Sequence, residues 1–304
     1  MKPRLSGCLA AAFLYSGAQA APVGFAFEAV VDFDASRTVG TGTATEGDLF
    51  AAFFGEAVLT ASSVDLGGSL VFDSASPVTE ANDQLAGYDL AITAGRITSG
   101  NTILEADVDL ITANSGEGLF NFAASPDGTG CLGGTDAVCP GLSPTANFVG
   151  VGNGVTGGIE GPDGQPRFVR DVDIVTLRLG GTPLAGEFGP PVLIDGLGAV
   201  SFEYVSIDLV TTEGQSILFD TTDLPSSPDV FTSDLLANSI IRIAFSSSIT
   251  DEIFEFTTGF GAVGGFDAAG TADPVPLPPA AALFLTAGAF GVRAARGKRG
   301  SVGG

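Results

Sequence analysis

The sequence predicts an all-β protein, an antiparallel β-sandwich, with a hydrophobic helix near its C-terminus. Runs of β-branched residues and phenylalanine alternate with polar positions, and clusters of Gly, Asn, Asp, Ser and Pro bound them. The 44 glycines and 17 prolines among 304 residues suit many short strands joined by tight turns. Hydrophobic residues make up 45% of the chain and 23 are phenylalanine, so a sizeable core can form despite the acidity.

Taken in order, the strand-like runs are "FAFEAVVDFDAS" (25–36), "GGSLVFDSAS" (67–76), "ILEADVDLITA" (103–113), "VDIVTLRLGG" (172–181), "AVSFEYVSIDLVTT" (199–212) and "QSILFDTTD" (215–223). Helical period is best at "SDLLANSII" (233–241), with Ser233 as its N-cap. The stretch 125–166 is rich in Gly, Pro and Asp and lacks clear strands until "FVGV", so it reads as a long loop or a division of the body. A weak echo links Ser69-Leu70-Val71-Phe72-Asp73-Ser74 to Ser216-Ile217-Leu218-Phe219-Asp220-Thr221. It leaves open one large sandwich or two related ones, although a strand ending in an Asp-Ser/Thr turn is common chemistry.

Charge excludes whole classes of partner. All 35 carboxylates lie between Glu28 and Asp273, against six arginines (Arg37, Arg96, Arg167, Arg170, Arg178 and Arg242), a formal −29. Such a surface repels phosphate backbones and anionic headgroups, so no nucleic acid and no peripheral lipid contact is expected. The chain has no histidine, which removes Ser-His-Asp and Cys-His nucleophile systems and histidine-held metals. The body has no lysine, which removes Schiff bases and the phosphate-loop lysine. Tryptophan is absent, so aromatic platforms for sugars are scarce.

Carboxylates remain. Asp107/Asp109 and Asp171/Asp173 stand at i, i+2, which on a strand places each pair on one face, as a solvated surface or as a glycosidase-like pair. Asp73 and Asp220 sit in Phe-Asp-Ser/Thr loops reminiscent of aspartic proteases, but Ala75 and Thr222 replace the glycine that such loops need. No cofactor is expected. Calcium is the best guess at a ligand, through the oxygen-rich loops "SPDGTG" (125–130), "EGPDGQP" (160–166) and "EANDQ" (80–84), none with full EF-hand spacing.

Both ends read as targeting segments. Lys2 and Arg4 precede an apolar run from Leu5 to Tyr15 and a small-residue site at Ala18-Gln19-Ala20. That is the pattern of a secretory signal peptide over residues 1–20, cut between Ala20 and Ala21 by signal peptidase after Sec-type export. The body is then 21–274, and its only cysteines, Cys131 and Cys139, are expected to form a local disulfide in an oxidising compartment. At the far end, Ala280 to Val292 is a run of 13 uncharged, mostly apolar residues followed by Arg293, Arg296, Lys298 and Arg299. As a helix that run spans roughly 20 Å, short of the roughly 30 Å hydrocarbon core. The basic cluster would stay on the cytoplasmic side.

The order Val275-Pro276-Leu277-Pro278-Pro279-Ala280, apolar segment, basic tail resembles the VPLPA-type relatives of the PEP-CTERM sorting signals of Gram-negative bacteria. The resemblance covers about the last 30 residues, 275–299 with their margins, and Pro279 stands where the family usually has alanine. It implies an inner-membrane intermediate, removal of the tail by an exosortase-like membrane peptidase, and delivery of the body to the envelope or exterior. There such bodies are often linked to exopolysaccharide or biofilm. Prolines at 276, 278 and 279 hold the backbone extended, which suits presentation to a protease. The expectation is a structural or adhesive protein rather than an enzyme, with a carboxylate-dependent glycan hydrolase and a calcium-dependent adhesin as alternatives.

Overall fold

Alternation becomes pleat in the first strand. β1 (Pro22–Asp32) buries Val23, Phe25, Phe27, Ala29 and Val31, while Glu28, Val30 and Asp32 face water. The protein is described by a computed structural model, which places residues 22–40, 42–81, 83–114, 146–160, 166–250 and 253–268. After β1 come α1 (Glu46–Phe54), β2 (Ser63–Asp73), β3 (Glu80–Ala81), β4 (Leu85–Asp89), β5 (Ile92–Ser99), β6 (Thr102–Glu105) and α2 (Val108–Asn114). Then follow β7 (Ala146–Glu160), β8 (Pro166–Gly180), β9 (Val192–Ile194), β10 (Gly198–Val210), β11 (Ile240–Ser247) and β12 (Ile253–Asp267).

The architecture is β-rich and antiparallel, as the alternation predicts. Hydrogen bonds join the strands into one open 12-stranded sheet, in the order β3-β4-β7-β8-β10-β11-β12-β1-β2-β5-β6, with β9 paired to β10. One of the passages between the two ends of this path is the turn between β4 and β5. Asn147, 2% exposed, clamps that turn. Its Oδ1 accepts from the Ile92 N–H (2.8 Å), and its Nδ2 donates to the Ile92 carbonyl (2.7 Å). Further along, β5 comes so near β8 that a Cβ on Gly95 would lie 2.2 Å from Leu179 Cδ2. A larger residue there would require the Leu179 side chain to move.

The buried side chains form one large continuous apolar cluster. Phe50 of α1 stacks on Phe33 with centroids 4.3 Å apart and meets Phe245 and Phe256 edge-on. Phe202 joins Phe245 and Phe188, and Phe25 joins Phe231. Such ring pairs contribute about 0.5–1.5 kcal/mol each beyond simple burial. α1 owes its start to a capping box: the Asp48 N–H donates to Thr45 Oγ1 (3.2 Å) and the Thr45 N–H to Asp48 Oδ2 (2.9 Å). A smaller apolar cluster of Leu85, Val155, Val169, Val172, Ile174 and Val210 packs where β4, β7, β8 and β10 meet.

Three expected elements differ. Residues 103–113 are not a single strand: β6 ends at Glu105 and α2 begins at Val108. Residues 215–223 form a loop rather than a strand, so the echoed motifs have unlike conformations. Phe72 is fully buried in β2, whereas Phe219 is 84% exposed with φ 51°. The helical stretch at 233–241 is a 3-10 turn over Ser233–Asn238, after which β11 starts at Ile240. Strands from both sides of the stretch 125–166 share the sheet, since β7 pairs with β4 on one side and β8 on the other.

Candidate functional site

The carboxylates singled out by spacing fall in two different settings. Asp107 does not lie on a strand face with Asp109; it caps α2. Its Oδ1 accepts from the Leu110 N–H at 2.9 Å, its carbonyl from the Ile111 N–H at 2.9 Å, and its own N–H donates to the Glu187 carbonyl at 2.7 Å. An N-cap aspartate satisfies backbone donors that would otherwise be orphaned, and burying Ile111 rewards the helix over the strand. Asp109 follows in the first turn. Together with Ser69, Thr93, Arg96 and Glu105, both line an open groove of about 530 Å³. Arg96 and Glu105 are opposite each other in the β5–β6 ladder. Carboxylates, hydroxyls and one guanidinium in contact with water suit hydrogen bonding to polyhydroxyl ligands.

Asp171 and Asp173 do not share a solvated face either. Asp171 is exposed at φ 51°, beside irregular pairing of β7 with β8. Asp173, 2% exposed, organises its surroundings. Its Oδ1 accepts from the Gly154 N–H (3.0 Å), and its Oδ2 accepts from Ser216 Oγ (2.9 Å) and the N–H groups of Ile217 (2.7 Å) and Leu218 (3.0 Å). That anchor holds residues 215–218 off any strand ladder. Asp73 ends β2 in an Asx-type turn, its Oδ1 accepting from the Ala75 N–H at 2.9 Å, while Asp220 sits at φ 60°. The two Phe-Asp loops therefore share no geometry.

A charged network that spacing did not announce crosses β8, β10, β11 and β12. In the ladders Ser206 stands opposite Arg178 on one side and Arg242 on the other. Arg242, 2% exposed, pairs with Asp208 (Nη1 to Oδ2, 2.5 Å), and Thr176 Oγ1 donates to Asp208 Oδ1 at 2.7 Å. The Tyr204 hydroxyl donates to Glu255 Oε2, and Arg242 Nε lies 3.9 Å from Glu255 Oε1. Arg178 lays its guanidinium 4.1 Å from the Tyr204 ring centroid. Burial first, then the Glu255 charge, pushes the Tyr204 phenol well above its ordinary range. Burial likewise lowers Arg178. A phenol held protonated and two arginines matched by two carboxylates form a rigid neutral unit rather than a nucleophile with its base. The signal lay in "TLRLG" and "IIRIAF", where an arginine interrupts an apolar run.

Beside this network lies a buried carboxylate pair, also unannounced. Glu203 occupies the β-bulge in β10 between Phe202 and Tyr204, and it is 1% exposed. Glu187, 2% exposed, comes from the 181–191 loop, where its Oε2 accepts from the Gly181 (3.0 Å) and Thr182 (3.3 Å) N–H groups. Gly180, at φ 89°, makes room: a Cβ there would meet the Glu203 carbonyl at 2.5 Å and Glu187 Oε2 at 3.3 Å. Burial first, and the Glu187 charge further down, raises the Glu203 carboxyl above the usual carboxylate range.

Comparison with known proteins finds no match among family models, curated proteins or solved structures. Among the described residues no cluster of three or more His, Cys, Asp or Glu side chains is placed to hold a metal, and no helix is long and apolar enough to cross a membrane. Several expected features lie outside the described residues: the signal segment with Ala20 and Ala21, Cys131 and Cys139, the loop 125–130, the motif Val275 to Ala280, and Arg293, Arg296, Lys298 and Arg299. Most of the loop 160–166 is outside as well, as is Asn82 of 80–84.

Proposed function

We propose that this is an exported protein, sorted through its C-terminal segment to the envelope or extracellular matrix, where the β-rich body has a structural or adhesive role alongside exopolysaccharide. The observation that carries this reading is the order of residues 275–299: a Val-Pro-Leu-Pro-Pro-Ala motif, an apolar run too short for a comfortable anchor, and four basic residues. The signal-type pattern of residues 1–20 supports it. So does the charge of the body, which keeps a secreted protein soluble and repels anionic lipid.

In this reading the folded-over sheet works as a sandwich, and Cys131 and Cys139 close a local disulfide that contributes about 2–3 kcal/mol in the entropic account. Signal peptidase and an exosortase-like peptidase are its processing partners, and the inner membrane holds it only in transit. The groove lined by Thr93, Arg96, Glu105, Asp107 and Asp109 is the surface chemically suited to matrix polysaccharide. Asp107 as a helix cap and Asp173 as a loop anchor favour this role over the hydrolase alternative.

The test is the intact mass of the protein recovered from outside the cell. A species lacking both residues 1–20 and the terminal apolar run is expected, with retention in the membrane fraction when 275–280 are replaced. Full-length protein in the cytosol with two free thiols in the body overturns the proposal. Turnover of a polysaccharide, lost in Asp107→Asn, would transfer the assignment to the hydrolase.

A further inference from the structure

The open groove over β2, β5 and β6, about 530 Å³, has a geometry and a charge that specify its ligand. In the ladders Ser69 of β2 stands opposite Arg96 of β5, and Arg96 stands opposite Glu105 of β6. All three line the groove, so they form one row across three strands, at the roughly 4.8 Å interval of neighbouring strands. That interval is close to the length of one sugar unit in an extended glycan. Thr93, with Asp107 and Asp109 from the passage of β6 into α2, completes the polar lining.

Elimination narrows the class of glycan. Three carboxylates against one guanidinium give the groove a formal charge of −2, within a body that is itself strongly acidic. Glycans carrying carboxylate, sulfate or phosphate are therefore repelled. Among the described residues none of the lining side chains is aromatic, so the stacking that would hold a neutral sugar is missing. Charge remains. Glu105 and Asp109 are exposed, and neither makes a hydrogen bond or ion pair among the described residues. Asp107 commits Oδ1 to the Leu110 N–H. A carboxylate facing water gains a charge-assisted hydrogen bond from an ammonium group, about twice as strong as a neutral one. Arg96 and the Ser69 hydroxyl offer donors to sugar hydroxyls along the same row. A lysine-rich peptide has the ammonium groups but no hydroxyls for that row.

We propose that this groove binds an amino-sugar polysaccharide through its free ammonium groups, held by Glu105, Asp107 and Asp109, with Arg96 and Ser69 on its hydroxyls. The proposal rests on the reading of the body as a matrix protein and narrows it, because the polysaccharide taken is a polycation. The acidity of the body then draws its ligand in, over a distance set by ionic strength.

The experiment titrates the purified full chain with soluble glucosamine oligosaccharides by calorimetry, in weakly acidic buffer where their amines are charged. The fully N-acetylated oligosaccharide, a polygalacturonate and polylysine are the comparisons. Among the three glycans only the amine form is expected to bind, less tightly as salt is raised. Glu105→Gln with Asp109→Asn should lose on the order of tenfold in affinity at an unchanged Tm. Asp107 is kept because it caps α2. Glu213→Gln with Asp195→Asn removes the same charge at exposed positions outside the groove and should bind as the wild type does. Equal binding of the N-acetylated form overturns the ammonium assignment. Equal affinity in the two double variants overturns the site, since the whole acidic surface would then be acting. Polylysine bound as tightly, and lost in the same groove variant, would assign the groove to basic peptides instead. Binding of no glycan overturns the proposal while leaving the intact-mass test of sorting untouched, so the two readings fail separately.

Discussion

Arg178 and Tyr204, on adjacent strands β8 and β10, stack guanidinium on ring at 4.1 Å, and the same ring's hydroxyl is spent on Glu255. The stack ties three strands through one side chain. Because burial holds the phenol above its ordinary value, the protonated form contributes stability that is complete below the unfolded pKa of about 10. That contribution is lost as pH rises beyond it. Alkaline titration followed by tyrosinate absorbance should show Tyr204 ionising only together with unfolding, and Tyr204→Phe should remove that coupling.

The neighbouring pair behaves differently. Removing Arg242 leaves the buried Asp208 without its cation, so Arg242→Ala should cost about 3–5 kcal/mol, and Asp208→Ala should cost less because Arg242 keeps Glu255 at 3.9 Å. Replacing both together with apolar residues, Arg242→Met with Asp208→Leu, should recover most of the loss. Urea denaturation of the four proteins closes the cycle. A double variant no better than the singles would count against the pairing.

Asp173 accepts three hydrogen bonds from the 215–218 loop, which joins no ladder, and one from the Gly154 N–H of β7. Asp173→Ala should cost about 3 kcal/mol, since each buried donor left without a partner costs about 1–3 kcal/mol. Hydrogen exchange should show Ile217 and Leu218 amides losing protection before those of β8.

The echoed phenylalanines make a matched pair for testing. Phe72→Ala empties a fully buried position and should cost about 3–5 kcal/mol, whereas Phe219→Ala, at 84% exposure, should change stability by less than about 0.5 kcal/mol. Equal costs would mean that the two segments are structural equivalents after all.

Glu203 gives stability a slope with pH. Its folded-state pKa lies above the unfolded one, so the contribution is complete below about pH 4.3. It falls away as pH rises toward the folded value. Tm should therefore decline as pH rises above that value, with Glu187, Arg178, Ser246 and the Leu184 amide facing the Glu203 carboxyl. In Glu203→Gln the decline should flatten.

β1 and β2 were legible because one face of each meets the phenylalanine core and period-two alternation records that directly, whereas β8 and β10 were legible as β-branched runs buried on both faces. Residues 103–113 misled because Asp107 alternates like a strand residue yet caps a helix whose reward is burying Ile111. The 215–223 run alternates as convincingly as β2, but Asp173, over 40 residues earlier, draws its N–H groups out of any ladder. α1 was missed because its capping box is short and its Phe-rich face fits strand composition equally well. For the site, spacing found the groove carboxylates Asp107 and Asp109 and nothing of the buried groups. Glu203 and Glu187 meet only through a bulge and a loop, and no local pattern encodes that.

Val23 of β1 stands directly opposite Asp267 of β12. The first and last described strands thus begin and finish side by side, although almost the whole body lies between them in the chain. Traction on the two ends would act at the mouth of one antiparallel ladder, parting its bonds singly like a zip. A pull exerted from the far rim of the sheet would instead load many rungs at once. How firmly this body resists being torn away therefore depends on which side is gripped.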